Sequence, residues 1–473
     1  MVIALKKKNI VRYPVLEWKQ VPGKKELSDM KILNRFLGLV FCLVTIVSMQ
    51  PAFAQGGSKK PESHKDDANS DVSTVLTPHS KDGIFSSVAS YTFEVKNSLG
   101  TEQVGKVSYI VTTEDGKKIK ADSVRVRIGR GSTDSHTFEI PGLKSGFYKI
   151  NFMVNVSDYD DTTRRAFGIR PDEIRSQYDK PADFDSFWQT AKDELAKVDP
   201  KFKMTEMPDS SKDGRRVFLV EMKSLGSVTV RAWLTLPKTK NKNKKFVVLL
   251  GLPGYQVNLV PMFGTDPDIA ILTLNIRGQG NSRDEIHTRR EDYIFRDIEN
   301  KNKYVLRGAI MDCVRAIDFI CSRPELRHDN ILVAGGSLGG YLALATSSLD
   351  KRITLCSSAN PILCDIHNLV PIVDWPFLDI RRYVKTRPGL TFDKVLNNMD
   401  YFDGKNFATL LTCPTLVGMG LVDPIAPPNT VYAAYNNIPS HKHVIIFRDL
   451  AHEIGKKYEV YEGRWMRDTF ALF

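Results

Sequence analysis

Ser337 sits in the segment Gly335-Gly336-Ser337-Leu338-Gly339-Gly340, directly after the apolar run Ile331–Ala334 and before the helix-like Tyr341-Leu342-Ala343-Leu344-Ala345. A nucleophilic serine presented at the top of a sheet needs a tight strand-to-helix turn, and that turn closes only with small residues two positions to either side. Gly335 and Gly339 fill those places. A serine hydroxyl is a poor nucleophile at neutral pH, so it needs a base to take its proton and an acid to orient the base. In a serine, acid, histidine chain order both lie downstream. Asp423 follows the run Thr415–Gly420, and His452 follows Val444–Phe447, so each is expected on a loop just past a strand. Asp449, three residues before His452, is an alternative acid that reads better as a loop cap, and Asp423 is preferred. His441 and His443 read as surface or strand residues, and Glu453 as a neighbour of the site without a part in proton transfer. Negative charge developing on a carbonyl oxygen calls for two preorganised N–H donors. The backbone of Leu338 is one candidate. The backbone of Tyr255, in Leu252-Pro253-Gly254-Tyr255-Gln256 after the run Phe246–Gly251, is the other.

These residues need a rigid sheet beneath them. The apolar runs Phe246–Gly251, Ala270–Asn275, Ile331–Ala334 and Thr415–Gly420, with Val444–Phe447 after them, alternate with helical segments such as Leu306–Ser322, which predicts an α/β fold with a mostly parallel sheet covered on both faces. Arg216–Lys223 and Val228–Leu236 predict a hairpin before it. Phe184, Phe187, Trp188, Ala191 and Leu195 recur at helical spacing and predict an amphipathic helix packed on this body. Upstream, short β-type runs at Ser87–Val95, Val104–Thr113, Ile119–Ile128, His136–Ile140 and Tyr148–Ser157 predict an immunoglobulin-like β-sandwich over 83–169, leaving 170–473 as the catalytic unit. Residues 55–82 are rich in Ser, Lys, Asp and Gly and are expected to be a disordered linker.

Residues 1–54 form an extension with a leader. Met30-Lys31 and Arg35 precede an apolar run, Phe36 to Met49, and Ala52-Phe53-Ala54 forms a small-x-small cleavage site, so translation is expected to start at Met30 and the mature chain to be secreted, periplasmic or extracellular. The run is too short to span a bilayer, and stable membrane insertion is not expected. The net charge of +12 does not call for a nucleic-acid partner, because half of it lies in residues 1–54. The lysine-rich stretch Lys238–Lys245 reads as a solvated loop. The five cysteines beyond the leader, Cys313, Cys321, Cys356, Cys364 and Cys413, have no metal or disulfide spacing and read as buried thiols.

With these residues placed, the C-terminal 300 or so positions resemble the acetyl xylan esterase and cephalosporin-C deacetylase family, carbohydrate esterase family 7. The resemblance is carried by Pro181-Ala182-Asp183-Phe184-Asp185-Ser186-Phe187-Trp188, Arg277-Gly278-Gln279-Gly280, the Gly335–Gly340 turn, Pro361-Ile362-Leu363-Cys364-Asp365, Asp423 and His452-Glu453. It implies an α/β-hydrolase fold and deacetylation of small acetate esters and acetylated xylo-oligosaccharides through an acyl-serine, without metal or organic cofactor. It also implies that Arg277 and Gln279 brace the site. Three features depart from the family pattern: Leu338 replaces a glutamine, Leu252-Pro253-Gly254 replaces a His-Gly pair, and the sandwich is an addition. Compact members form ring-shaped hexamers, so a homo-oligomer is implied unless the added domain alters that assembly.

Two other readings remain at this stage. A different carboxylesterase or a prolyl-oligopeptidase-like peptidase also carries such a turn, although the sandwich is too short for the peptidase's propeller. A catalytically dead carbohydrate-binding scaffold is the third, which the intact Ser337, Asp423 and His452 argue against.

Overall fold

The computed structural model describes residues 71–472 except 265, 287, 288 and 290. The leader and start site expected within residues 1–54 therefore lie outside the described residues, as do residues 55–70 of the expected linker.

Eight strands form the N-terminal sandwich: β1 (Val72–Pro78), β2 (Ile84–Phe85), β3 (Ala89–Asn97), β4 (Gln103–Thr112), β5 (Lys118–Ile128), β6 (Thr133–Ile140), β7 (Gly146–Val156) and β8 (Tyr159–Ile169). One sheet has the order β1-β3-β6 and the other β2-β8-β7-β4-β5. Alternate side chains of β3, β4, β6 and β7 point inward, so Tyr91, Phe93, Tyr109, Phe138 and Phe152 form an aromatic core, as the two-residue strand period requires. The linker expected to run to residue 82 ends earlier. Val72–Pro78 pairs antiparallel with β3 from Val72 opposite Asn97 to Pro78 opposite Tyr91, because the alternating pattern of β1 offers one face to the core.

The second body is a nine-stranded sheet built from β9 (Lys203–Glu206), β10 (Arg215–Lys223), β11 (Thr229–Pro237), β12 (Phe246–Leu252), β13 (Ile269–Asn275), β14 (Leu326–Gly336), β15 (Leu355–Ala359), β16 (Thr415–Gly420) and β17 (Lys442–Phe447). Its order is β17-β16-β15-β14-β12-β13-β11-β10-β9. The six strands from β13 to β17 run parallel, and β11, β10 and β9 are antiparallel. Both faces are covered. Val248, Leu250, Leu272 and Val333 join the main core with α1 (Phe184–Ala196), α2 (Val305–Ser322) and α3 (Leu338–Leu349), while Val247, Leu249, Ile271 and Leu332 meet Met466 and Phe470 of the C-terminal helix on the other face. This explains why these strands read as continuous apolar runs. All five apolar positions read from the α1 pattern are buried, and Trp188 Nε1 donates to Tyr401 O at 3.0 Å. The fold is an α/β-hydrolase preceded by a β-sandwich.

The connections decide where a site can form. From β12 the chain passes to β13 on one side and later to β14 on the other, which makes the carboxyl ends of β12 and β14 a topological switch point where a crevice opens. Register pairs Leu252 with Gly335, Gly336 with Ala359, Ala359 with Gly418 and Gly420 with Phe447. The strands that precede Tyr255, Ser337, Asp423 and His452 therefore all end along one edge.

Candidate active site

Ser337 joins β14 to α3 with φ 59° and ψ −120°, a region that a side chain other than glycine rarely occupies and that persists only when surrounding structure enforces it. Three contacts enforce it. Ser337 N donates to Ala359 O at 2.9 Å, and Ser337 O accepts from Tyr341 N at 3.1 Å and Ile362 N at 3.5 Å. The flanking glycines are dictated by crowding. A Cβ at Gly335 would lie 2.6 Å from the Gly339 carbonyl, one at Gly339 2.5 Å from Leu252 O, and one at Gly340 2.6 Å from Ala359 O. The turn is thus wedged between the ends of β12 and β15, and the serine stays partly exposed.

The expected acid and base meet. Asp423 is buried, and its Oδ2 lies 2.8 Å from His452 Nδ1. Its Oδ1 accepts from Ile425 N at 2.8 Å and Ala426 N at 2.9 Å. Because the carboxylate accepts at Nδ1, that nitrogen carries the proton and Nε2 keeps its lone pair. Asp449, the alternative acid, points away: it is exposed and pairs with Arg448 and Arg165. His443 stacks on Tyr461, while His441 and Glu453 are exposed on the surface.

One candidate donor follows the serine directly in the chain, and the loop of the other approaches the residue before it. Leu338 opens α3, so its N–H has no acceptor within the helix, while its side chain is fully buried in the main core. The loop that carries Tyr255 passes close by, since a Cβ at Gly254 would lie 3.8 Å from Gly336 O. The Tyr255 ring contacts Tyr293 and Trp375, and its hydroxyl accepts from Ile294 N at 3.3 Å.

Arg277 and Gln279 stand behind this loop. The Arg277 guanidinium grips Asp312 of α2, with Nε to Oδ2 at 2.9 Å and Nη2 to Oδ1 at 2.7 Å, and Arg277 N also donates to Asp312 at 2.9 Å. Burial works against the guanidinium charge, but Asp312 outweighs it and raises the arginine pKa. Tyr293 OH donates to Arg277 O at 3.0 Å, so the buried ion pair reaches Tyr255 through one aromatic ring. Gln279 is fully buried beside the Tyr293 hydroxyl. In the segment Pro361–Asp365, the Asp403 carboxylate accepts from Asp365 N and Ile366 N, each at 2.7 Å, which pins the chain leaving the Ser337 region.

One supporting residue escaped the sequence reading. Asn360, at φ 41° just past β15, donates from Nδ2 to His452 O at 2.6 Å and accepts at Oδ1 from Gly420 N at 3.3 Å. It ties the histidine loop to the end of the strand that leads to Asp423. An isolated Asn after a short strand carries no periodic signal. Among the described residues, no group of His, Cys, Asp or Glu is arranged to hold a metal ion. Cys313, Cys356, Cys364 and Cys413 are buried and Cys321 partly so, all as free thiols.

The sequence profile of acetyl xylan esterases matches residues 171–468. The chain belongs to the acetyl xylan esterase family. An acetyl esterase of Xylanibacter ruminicola is 27% identical over 442 residues, covering 89% of this chain and 93% of that protein. Among solved structures, an acetyl xylan esterase from a Paenibacillus species superposes with a TM-score of 0.58 at 26% identity, covering 63% of this chain and 98% of its own. Acetyl xylan esterase 1 from a Thermoanaerobacterium species gives 0.57 at 25%, covering 63% and 97%. The Xylanibacter relative matches over a span longer than the catalytic unit, so the similarity extends into the sandwich. Membership makes the chain a carboxylic ester hydrolase, and the peptidase and dead-scaffold readings fall away.

Proposed function

We propose that this enzyme removes acetyl groups from acetylated carbohydrates, xylo-oligosaccharides or similar small acetate esters, through an acetyl-serine intermediate. Ser337 Oγ attacks the acetyl carbonyl while His452 Nε2 takes its proton. The sugar alkoxide then leaves with that proton from His452, and the acetyl group stays on Ser337. Water next attacks the acetyl-serine, giving its proton to His452, which returns it to Ser337 as acetate departs. Asp423 orients His452 and stabilises the imidazolium. The backbone N–H groups of Leu338 and Tyr255 receive the oxyanion in both steps.

The observation that carries this reading is the 2.8 Å hydrogen bond from His452 Nδ1 to Asp423, which fixes the tautomer that leaves Nε2 free for a serine held at a strained turn. Arg277 acts from behind, holding Tyr293 through its carbonyl and through that ring Tyr255, while Gln279 packs beside the Tyr293 hydroxyl. The names of the relatives support acetate as the acyl group. The leader-like segment at residues 30–54 supports export to the periplasm or beyond, which amino-terminal sequencing of the mature protein would test. Ser337→Ala is the deciding variant: hydrolysis of 4-nitrophenyl acetate should be lost, and full retention would overturn the assignment.

A further inference from the structure

The sandwich meets the catalytic body along the two loops that carry Asp423 and His452. Glu114, in the turn after β4, is buried there, and its carboxylate faces the first turn of α4 (Pro428–Asn436). Glu114 Oε2 accepts from Asn429 Nδ2 at 2.8 Å and Oε1 from Asn429 N at 3.4 Å. The same carboxamide pairs with β7 as if it were a strand residue: Phe147 N donates to Asn429 Oδ1 at 2.8 Å, and Asn429 Nδ2 donates to Phe147 O at 3.2 Å. Phe147 itself leaves the sandwich core for the main hydrolase core, with its ring 5.1 Å from that of Tyr432 on α4.

Little slack separates this junction from Asp423. The Asp423 carboxylate holds Ile425 N and Ala426 N, and Pro427 and Pro428 then lead straight to Asn429. On the second loop, Arg165 of β8 pairs with Asp449 at 3.8 Å, three residues before His452. Gly83 packs so closely that a Cβ there would lie 3.2 Å from Leu421 and 3.3 Å from Arg448. A small cleft of about 90 Å³ between the bodies is lined by Glu114, Lys149, Leu421, Asp423 and Pro427.

A domain that served only as a spacer would need no buried carboxylate at its junction, because burying one is unfavourable unless it is hydrogen-bonded. Here burial pushes the Glu114 pKa up to about 7, against the pull of Asn429 and Lys149, and both hydrogen bonds to the carboxylate come from Asn429 in the first turn of α4. An acceptor at that point also suits the positive end of the helix.

We propose that the sandwich is a working part of the catalytic centre: Glu114 and Asn429 are positioning residues that clamp the start of α4 and thereby hold Asp423 in register with His452. This rests on the roles assigned above to Asp423 and His452. A misplacement of about 1 Å in a catalytic group lowers turnover by up to about 100-fold, which is the scale at which the clamp acts.

The test uses the full chain and 4-nitrophenyl acetate. Glu114→Ala and Asn429→Ala should lower kcat roughly 10- to 100-fold with KM within about twofold, at temperatures where circular dichroism shows the folded state. Glu114→Gln keeps an acceptor facing Asn429 and should restore most of kcat. Asn429→Asp, similar in size but facing Glu114 with a like charge, should also lose kcat, and it decides the matter if the alanine variants do not fold. Full kcat in any folded Ala or Asp variant would overturn the proposal, as would a loss confined to KM or no rescue by Gln. Ser337→Ala separates the two levels: if it is inactive while Glu114→Ala is fully active, only the clamp falls, and if Ser337→Ala is active, the catalytic reading falls with it.

Discussion

Replacing Asp423 by Asn tests the geometry more sharply than removing it. The Asp423 carboxylate serves two masters: Oδ1 accepts from Ile425 N and Ala426 N, and Oδ2 faces His452 Nδ1. Asparagine keeps an oxygen for the two backbone donors, so the loop stays shaped and the fold loses little. Its amide then faces His452 as a donor, forcing Nδ1 to accept and moving the ring proton to Nε2. The base can no longer take a proton from Ser337. In serine triads this change lowers kcat about 10,000-fold, equivalent to roughly 5 kcal/mol of transition-state stabilisation. Asp423→Ala also leaves the two loop N–H groups without acceptors, at about 1–3 kcal/mol each, so it should add a loss of stability that Asp423→Asn does not show. The assay is kcat on 4-nitrophenyl acetate together with urea unfolding for both variants, with Asp449→Asn as the comparison. Asp423→Asn within about tenfold of the parent, or a larger loss in Asp449→Asn, would refute the assignment of the acid.

Gly339→Ala would place a Cβ 2.5 Å from Leu252 O, a backbone atom that cannot swing aside, and should reduce kcat by about 100-fold or more by separating Ser337 from the Tyr255 loop; steady-state kinetics on the folded variant checks this. Asp312→Ala leaves the buried Arg277 charge without its partner and should destabilise the protein by about 3–5 kcal/mol, read from urea unfolding. Glu462, partly buried and hydrogen-bonded by Ser357 beside Tyr458, has its pKa pushed up to about 7 by the loss of solvent around it. The folded state therefore holds this proton more tightly than the unfolded chain, so stability declines as pH rises from the unfolded value near 4.5 toward 7 and then levels off. Glu462→Gln should flatten part of that decline and unfold at higher urea than the parent at pH 8, but not at pH 5; an unchanged difference between the two pH values would refute the assignment.

The sheet edge that carries Ser337, Asp423 and His452 was legible because its signals are local. Ser337 directly follows β14 and Asp423 lies three residues past β16, whose buried stretches announce themselves as unbroken apolar runs, while His452 lies a short loop past β17, an only partly buried edge strand that the apolar run Val444–Phe447 still marks. The strands lost to the sequence reading lack that mark. β15 (Leu355–Ala359) has the sequence Leu-Cys-Ser-Ser-Ala, in which two serines hide a strand buried over its first four residues because their hydroxyls find partners, Ser358 with Gly340 O at 2.9 Å and Ser357 with Tyr458 OH at 2.7 Å. β8 begins Tyr-Asp-Asp-Thr-Thr-Arg-Arg and is solvated over that half, so no alternation betrays it. β9 is a mostly exposed edge. Asn360 and the Glu114–Asn429 clamp depend on tertiary pairing, the latter across 315 positions, and no window along the chain contains both partners.

The departures from the family pattern can be weighed by asking which atoms they change. At Leu338 the atom assigned to catalysis is the backbone N–H at the head of α3, which any residue but proline supplies, and the leucine side chain lies wholly in the core. Substituting it alters packing and removes no group from the oxyanion. The same holds for Pro253-Gly254: their carbonyls and close passage shape the turn, while the proposed donor is the Tyr255 N–H. What remains free to set substrate range is the wall of the crevice. On one side Trp375, partly exposed, lies against the Tyr255 ring with centroids 5.0 Å apart; on the other the sandwich borders the Asp423 loop. The proposed chemistry rests on backbone geometry at strand ends, and specificity on the side chains that surround it, so the residue beside Ser337 can change and a domain can be added while the proposed donors stay in place.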